Sequence, residues 1–151
     1  MENNIKIEPM TSKDIDGVFE VEKSCFKHYW SKESFQKELK NNLAKYLVAK
    51  LDNKIVGYIG IWLVLDEGHI TNVAVHQDYR GMKIGDLLVK SMINQCKENK
   101  IVSMTLEVRV SNTIAQNLYK KYGFKLSGIR KEYYSDNKED AMIMWNDIKE
   151  V

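Results

Sequence analysis

The decapeptide IVSMTLEVRV, residues 101–110, alternates without a break. Val102, Met104, Leu106, Val108 and Val110 fall on one side of an extended chain, and Ser103, Thr105, Glu107 and Arg109 on the other. A strand of this kind belongs to a sheet with one face in a core and one face polar, so an all-helical bundle is excluded. The segments on either side have helical character. Ile84 to Cys96 places apolar residues at 84, 87, 88, 92, 93 and 96, one face of a helix. Ser111 to Tyr122 is bracketed by a capping serine and by Gly123, a glycine suited to the position just past a helix end.

The remaining elements follow from shorter signals. Ile5 and Ile7 predict a short first strand halted by Pro9, and Thr11 or Ser12 can cap a helix over Asp14 to Phe26. Ser31, with Ser34, Phe35 and Leu39, opens a second short helix. Tyr46 to Ala49 and Ile55 to Leu65 read as strands joined by the turn LDNK, and Ile70 to Val75 completes a meander of three. Phe124 to Arg130 and Ala141 to Ile148 close the chain as a strand pair. The order βααβββαβαββ predicts an α/β fold: a mixed, mostly antiparallel central sheet flanked by helices on both faces, not a doubly wound parallel sheet. At 151 residues the expectation is one domain spanning 1–151.

Charge and cysteines narrow the partners. A net charge of +2 with acids and bases interspersed lacks the basic footprint of a dedicated nucleic-acid binder, so no direct nucleic-acid contact is expected. Cys25 and Cys96 stand apart, with no metal-ligand spacing and no disulfide framework. The three histidines, His28, His69 and His76, are scattered and suggest neither a metal nor a histidine-based triad. The longest apolar run, Ile55 to Leu65, is too short to cross a bilayer, and the N-terminus has no export signal. A cytoplasmic protein without membrane attachment is expected.

The run HITNVAV-HQDYRGMKIG-DLLVKSMINQC sets a glycine-containing turn between a strand and a helix start, where free amides and the helix dipole stabilise an anion. On the loop alone, phosphate binding and a plain tight connection are equally good readings. Neither GxxxxGK[ST] nor GxGxxG occurs, so the nucleotide triphosphate and dinucleotide readings lose their support. Glu107 read alone is a solvent-facing carboxylate, Asn112 a helix cap, Tyr119 a packed tyrosine, and Val73 to Val75 plain buried strand.

Four segments, GHITNVAV, YRGMKIGDLL, LEVRVSNTIAQNLYKKYGF and RKEYYSDNKEDAMIMW, occur in order between residues 68 and 145. Together they resemble the GNAT acetyltransferase superfamily and, within it, the RimI-type N-terminal acetyltransferases. The resemblance implies acetyl-CoA as co-substrate and no metal. It further implies a pyrophosphate held by backbone amides of Gly81, Met82, Lys83, Ile84, Gly85 and Asp86, with Val73, Ala74 and Val75 along the pantetheine arm and Asn112 as a further cofactor contact. It makes Glu107 the general base and Tyr119 the general acid for the departing thiolate. It sets Trp30, Tyr133 and Tyr134 against the acceptor peptide, and it points to a small-subunit ribosomal protein with N-terminal alanine as the acceptor, modified by a monomer or weak dimer. A carboxylate base suffices for an α-amino group, whose pKa is about 7.7–8.0 against about 10.4 for lysine.

Departures from the family pattern are few. Lys83 replaces the central glycine of the loop pattern that Arg80, Ile84 and Gly85 match. As a residue entering a helix, Lys83 is expected at ordinary negative φ, and Asp86, which would compete with a bound anion, is expected to point outward. Tyr29 and Ser135 stand where relatives often carry proline, which bears on the shape of the acceptor loops. Two other functions fit the same motifs less well: acetyl transfer to a small amine or lysine side chain, and non-catalytic binding of acetyl-CoA.

Overall fold

The computed structural model describes residues 4–149. Seven strands form one sheet in the order β1-β2-β3-β4-β5-β7-β6, with every neighbouring pair antiparallel except β4 and β5. The strands are β1 (Ile5–Pro9), β2 (Ala44–Leu51), β3 (Lys54–Val64), β4 (Glu67–Val75), β5 (Ser103–Arg109), β6 (Lys125–Arg130) and β7 (Ala141–Asp147). The helices are α1 (Ile15–Cys25), α2 (Lys32–Leu39), α3 (Ile84–Glu98) and α4 (Thr113–Lys121). This is the element order expected from the sequence, with short 3-10 turns added at Ser12–Asp14 and Gln77–Tyr79.

Local chemistry explains the boundaries. Thr11 and Asp14 exchange a capping box ahead of α1, and the Ser31 hydroxyl accepts from the Ser34 amide at 3.1 Å to start α2. The LDNK turn carries Asp52 and Asn53 at positive φ, the backbone that a two-residue hairpin needs and that aspartate and asparagine tolerate. α4 is capped one residue later than the sequence suggested: Asn112, not Ser111, accepts from the Ala115 amide at 3.1 Å. Gly123, at φ 101, ends that helix as expected.

Two cores lie on opposite faces of the sheet. Alternation along β2 and β3 sends Leu47, Ala49, Ile59 and Ile61 toward α3 and α4, where Leu88, Met92, Leu106 and Phe124 complete the larger core. Tyr46, Val48 and Tyr58 face the other way and pack with Val18, Val21 and Phe35 of α1 and α2. Helices α1 and α2 pack on the sheet mainly against β2, β3 and β4. Among the described residues no helix packs closely on the same face over β5, β7 and β6, which is the polar face of β5.

Candidate functional site

Strands β4 and β5 pair only over Glu67–His69 with Ser103–Thr105, then separate. Beyond that point β4 stays bonded to β3, from Asn72 to Val75, while its β5-facing edge has no strand partner. The edge of β4 along Val73, Ala74 and Val75 thus lines a wedge open to a ligand without a strand on that side, the Val75 carbonyl being met only by the side chains of Cys25 at 3.1 Å and Arg80 at 3.3 Å.

On one side of the wedge lies a cleft of about 670 Å³, lined by Val73, Ala74 and Val75, by the loop before α3, and by Asn112, Ile114 and Tyr119 of the α4 segment. In the first turn of α3 the amides of Ile84, Gly85 and Asp86 precede any intrahelical acceptor, and the first to bond is Leu87, to the Lys83 carbonyl at 3.2 Å. Arg80 ties the loop to the strand, donating from Nε to the Val75 carbonyl at 3.3 Å. Gly81 takes φ 85, as a glycine in a tight turn should.

Two loop residues differ from expectation. Lys83 is not at negative φ: it caps α3 in the left-handed region, at φ 61 and ψ 28. The chain must reverse there to bring the helix start onto the strand end, so the glycine of the family pattern has a conformational purpose. Lysine in its place costs roughly 1 kcal/mol. Asp86 does not point freely outward but sideways to α4, accepting from Lys121 Nζ at 2.6 Å and the Tyr122 hydroxyl at 2.9 Å. Burial opposes its ionisation, but those two bonds outweigh it and hold the carboxyl below the usual aspartate range. Met82 packs against the larger core and does not line the cleft, which leaves only its backbone for a ligand.

A second cleft, of about 330 Å³, opens toward the segment between α1 and α2 and is lined by Glu22, Trp30, Glu107, Arg109 and Tyr134 among others. Val73, Asn112, Ala115 and Tyr119 line both clefts, so the two meet at the split between the strands. Two buried side-chain atoms on the second cleft's wall, Thr71 Oγ1 and Asn72 Oδ1, have no hydrogen-bond partner among the described residues.

Tyr119 stands at the junction, only 8% exposed, with its ring edge-on to Phe124. Burial first, and then the neighbouring Tyr134, raises its pKa well above the ordinary phenol value. Glu107 is not the solvated carboxylate of the plain sequence reading: its side chain is 10% exposed, and Oε1 lies 2.7 Å from His69 Nε2. Arg130 Nε approaches its other oxygen at 3.6 Å. His69 was passed over as one of three scattered histidines. The pairing exists because His69 and Thr105 are register partners, which puts His69 one step from Glu107 on the same face.

The acceptor side is held by side-chain networks. Glu22, buried near the end of α1, accepts from the Tyr58 hydroxyl and, at 2.9 Å, from the Trp30 amide, so it fixes the approach to Trp30. Nothing in the sequence of α1 singles Glu22 out, since its partners Tyr58 and Trp30 lie outside that helix. Arg109 reaches across to the β6–β7 loop, donating to Asp136 at 2.9 Å, Asn137 at 3.2 Å and Glu139 at 3.3 Å, while its guanidinium lies 3.9 Å from the Tyr134 ring centre. Glu139 also accepts from the Ser111 amide at 2.7 Å, next to Asn112, so one carboxylate braces both the loop and the turn before α4. Burial pushes the Tyr134 pKa up to about 12, against the pull of Arg109. Tyr134 lines the second cleft; Tyr133 does not, being 49% exposed and packed edge-on against Tyr134.

A split parallel strand pair, with a helix N-terminus on one side and a carboxylate on the other, is the frame of an acyl-transfer site, and residues 15–124 match the acetyltransferase (GNAT) family; the chain belongs to that family. Among its relatives is a protein of Bacillus subtilis (strain 168) provisionally named as a ribosomal protein bS18-alanine N-acetyltransferase, 48% identical over 151 residues and covering 99% of this chain and 100% of the relative. A ribosomal protein bS18-alanine N-acetyltransferase of Haemophilus ducreyi is 36% identical over 143 residues, covering 91% and 97%. The crystal structure of the ribosomal-protein-S18-alanine N-acetyltransferase from Escherichia coli superimposes with a TM-score of 0.90 at 28% identity, covering 97% of this chain and 96% of that one. The fold expected from the sequence is therefore the observed one, and the chain is an acetyltransferase. No helix among the described residues is long and apolar enough to cross a membrane.

Proposed function

We propose that the protein transfers an acetyl group from acetyl-CoA to the N-terminal α-amino group of a polypeptide, with a small-subunit ribosomal protein that begins with alanine as its natural acceptor in the cytoplasm. The single observation that carries this reading is the meeting of the two clefts at Tyr119, one offering backbone donors to a cofactor and the other bearing Glu107. The names of the bS18-modifying relatives support the choice of acceptor.

The larger cleft suits acetyl-CoA. The free amides of the α3 start, with Lys83 and Lys121 at the rim, match a pyrophosphate, and the unpaired edge of Val73 to Val75 matches the amides of a pantetheine arm. Asn112 adds a contact where the clefts join. Bound there, acetyl-CoA supplies an activated acyl group as a thioester.

Around the acceptor, Glu107 takes the proton of the α-amine, directly or through one water, and His69 at 2.7 Å passes it on, its side chain being 40% exposed to solvent. Trp30 and Tyr134 border the cleft where the first residues of the peptide would lie, and Tyr133 supports Tyr134 from outside. Amides of the free β4 edge face the position where negative charge develops.

Tyr119 stays protonated, since its pKa is raised above 10. A phenol raised above its ordinary value is a weaker acid than a thiol, so complete proton transfer to the thiolate runs uphill. Tyr119 therefore stabilises the thiolate chiefly as a hydrogen-bond donor. A mass-spectrometric screen of peptides with free N-termini tests the whole reading. Acetylation at the α-nitrogen of alanine-initiated peptides is expected, and acetyl groups only on lysine side chains or polyamines would contradict it.

A further inference from the structure

Beside the acceptor cleft, on the face that no helix covers, lies a third hollow of about 390 Å³. Its floor and walls come from one row across the sheet: Trp62 is the register partner of His69, His69 of Thr105, and Thr105 of Trp145. Three interstrand spacings separate the two tryptophans, roughly 14 Å, with the small floor residue Thr105 and the His69 ring between them. The result is a trough of about the width of one extended chain with its side chains.

The walls are positioned, not loose. Trp62 Nε1 donates to Glu38 Oε2 at 2.8 Å, and the same oxygen accepts from the Tyr46 hydroxyl at 3.0 Å, so the indole is tied to α2. Thr105 satisfies its hydroxyl by donating to the Met144 carbonyl at 2.9 Å, so its methyl group is what it offers to the trough. Trp62 nevertheless remains 39% exposed, an aromatic wall without a packing partner on its open side.

Glu107 lines both this trough and the acceptor cleft. Glu107 thus joins the trough to the acceptor cleft, as Tyr119 joins that cleft to the cofactor cleft. Glu107 and Thr105 are two residues apart along β5, about 6.6 Å, the span of two residues of extended chain. We infer that the trough between Trp62 and Trp145 receives the acceptor polypeptide's third residue and selects a bulky apolar or aromatic side chain there. This rests on the reading of the acceptor as a polypeptide α-amine. A second copy of this chain is a poorer occupant, because anything seated against Glu107 from another molecule would block the base. The rim carries Arg130 and His69 as well as Glu67 and Glu107, so the two tryptophan walls, not charge, set the preference.

The test uses peptides that start with alanine and differ only at the third position, phenylalanine or glycine. The intact enzyme should show a kcat/KM about tenfold higher for phenylalanine than for glycine. In Trp62→Ala and in Trp145→Ala the phenylalanine-to-glycine ratio should fall toward one. If either variant loses its cooperative melt, the phenylalanine replacement at that position takes its place and should lower the ratio about threefold. A ratio near one in the intact enzyme, or the same ratio in the variants, overturns the trough while leaving acetyl transfer intact. A concentration-dependent dimer that dissociates in Trp62→Ala would assign the trough to a second copy and overturn it as well. Failure of every peptide to be acetylated would overturn the acetyl-transfer reading itself, and the trough with it.

Discussion

The two sides of the β4–β5 split are built from different materials. On the cofactor side the groups that face the cleft are largely backbone: the unpaired edge of β4 and the first amides of α3. On the acceptor side they are side chains held by other side chains: Glu107 by His69 and Arg130, Trp30 by Glu22, Tyr134 by Arg109. A backbone site tolerates a change of residue so long as the chain path is kept. A side-chain site does not, because each member fixes the next.

The contrast can be broken most severely at Glu107. Glu107→Gln should lower kcat/KM roughly a hundred- to ten-thousand-fold with acetyl-CoA affinity unchanged, measured by steady-state rates and by calorimetric titration. An equal loss of acetyl-CoA binding would mean that the two sides are not separable. Tyr119→Phe, at the junction, should cost less, about 10- to 100-fold in kcat, since one hydrogen bond to a charged group is lost and no acid. A loss as large as that of Glu107→Gln would restore full proton donation to Tyr119.

Arg109→Gln removes the brace of the β6–β7 loop, and the peptide KM should rise about tenfold while the KM for acetyl-CoA moves little; Arg109→Lys should recover only part, since lysine lacks the planar fork. Parallel rises in both KM values would show that the shared Glu139 links the sides more tightly than the contrast allows. On the backbone side the effects are smaller. Lys83→Gly relieves a left-handed lysine and should raise Tm by about 2–4 °C with acetyl-CoA affinity nearly constant. A lower Tm would mean that the lysine side chain contributes more than its backbone angle costs.

The smallest effect concerns acid stability. Asp86 has a depressed pKa in the folded protein, so its contribution is present above the unfolded aspartate pKa and is lost as pH falls through the lower folded value. Lys121→Met raises that folded value, and the acid-unfolding midpoint should move up by about a few tenths of a pH unit, limited by the exposure of Lys121. An unmoved midpoint would mean that Tyr122 alone holds the carboxylate.

Much of this was legible in the chain. Alternation in residues 101–110, the helical period of 84–96 and the turn chemistry at LDNK and Gly123 each act locally, and each produced the element it predicts. The acceptor networks were not legible, because they depend on register. His69 and Glu107 are 38 residues apart and meet only because β4 and β5 pair for three residues before splitting. Glu22 hides in a helical period, since burial of a carboxylate depends on Tyr58, a partner 36 residues away. Lys83 shows the opposite case. Its substitution was visible, but its φ is set by the path from β4 to α3, and no property of lysine announces a left-handed angle.

The central claim is that the α-amine beside Glu107 is the acceptor. The most direct measurement is acetyl transfer to one alanine-initiated peptide that also carries an internal lysine, in free and N-terminally blocked forms, with the modified atom located by fragmentation. Acetyl on the α-nitrogen of the free peptide, none on the blocked one, and a collapse of the rate in Glu107→Gln is the predicted result. Acetylation of the lysine in the blocked peptide at a rate comparable with that of the free one would contradict it.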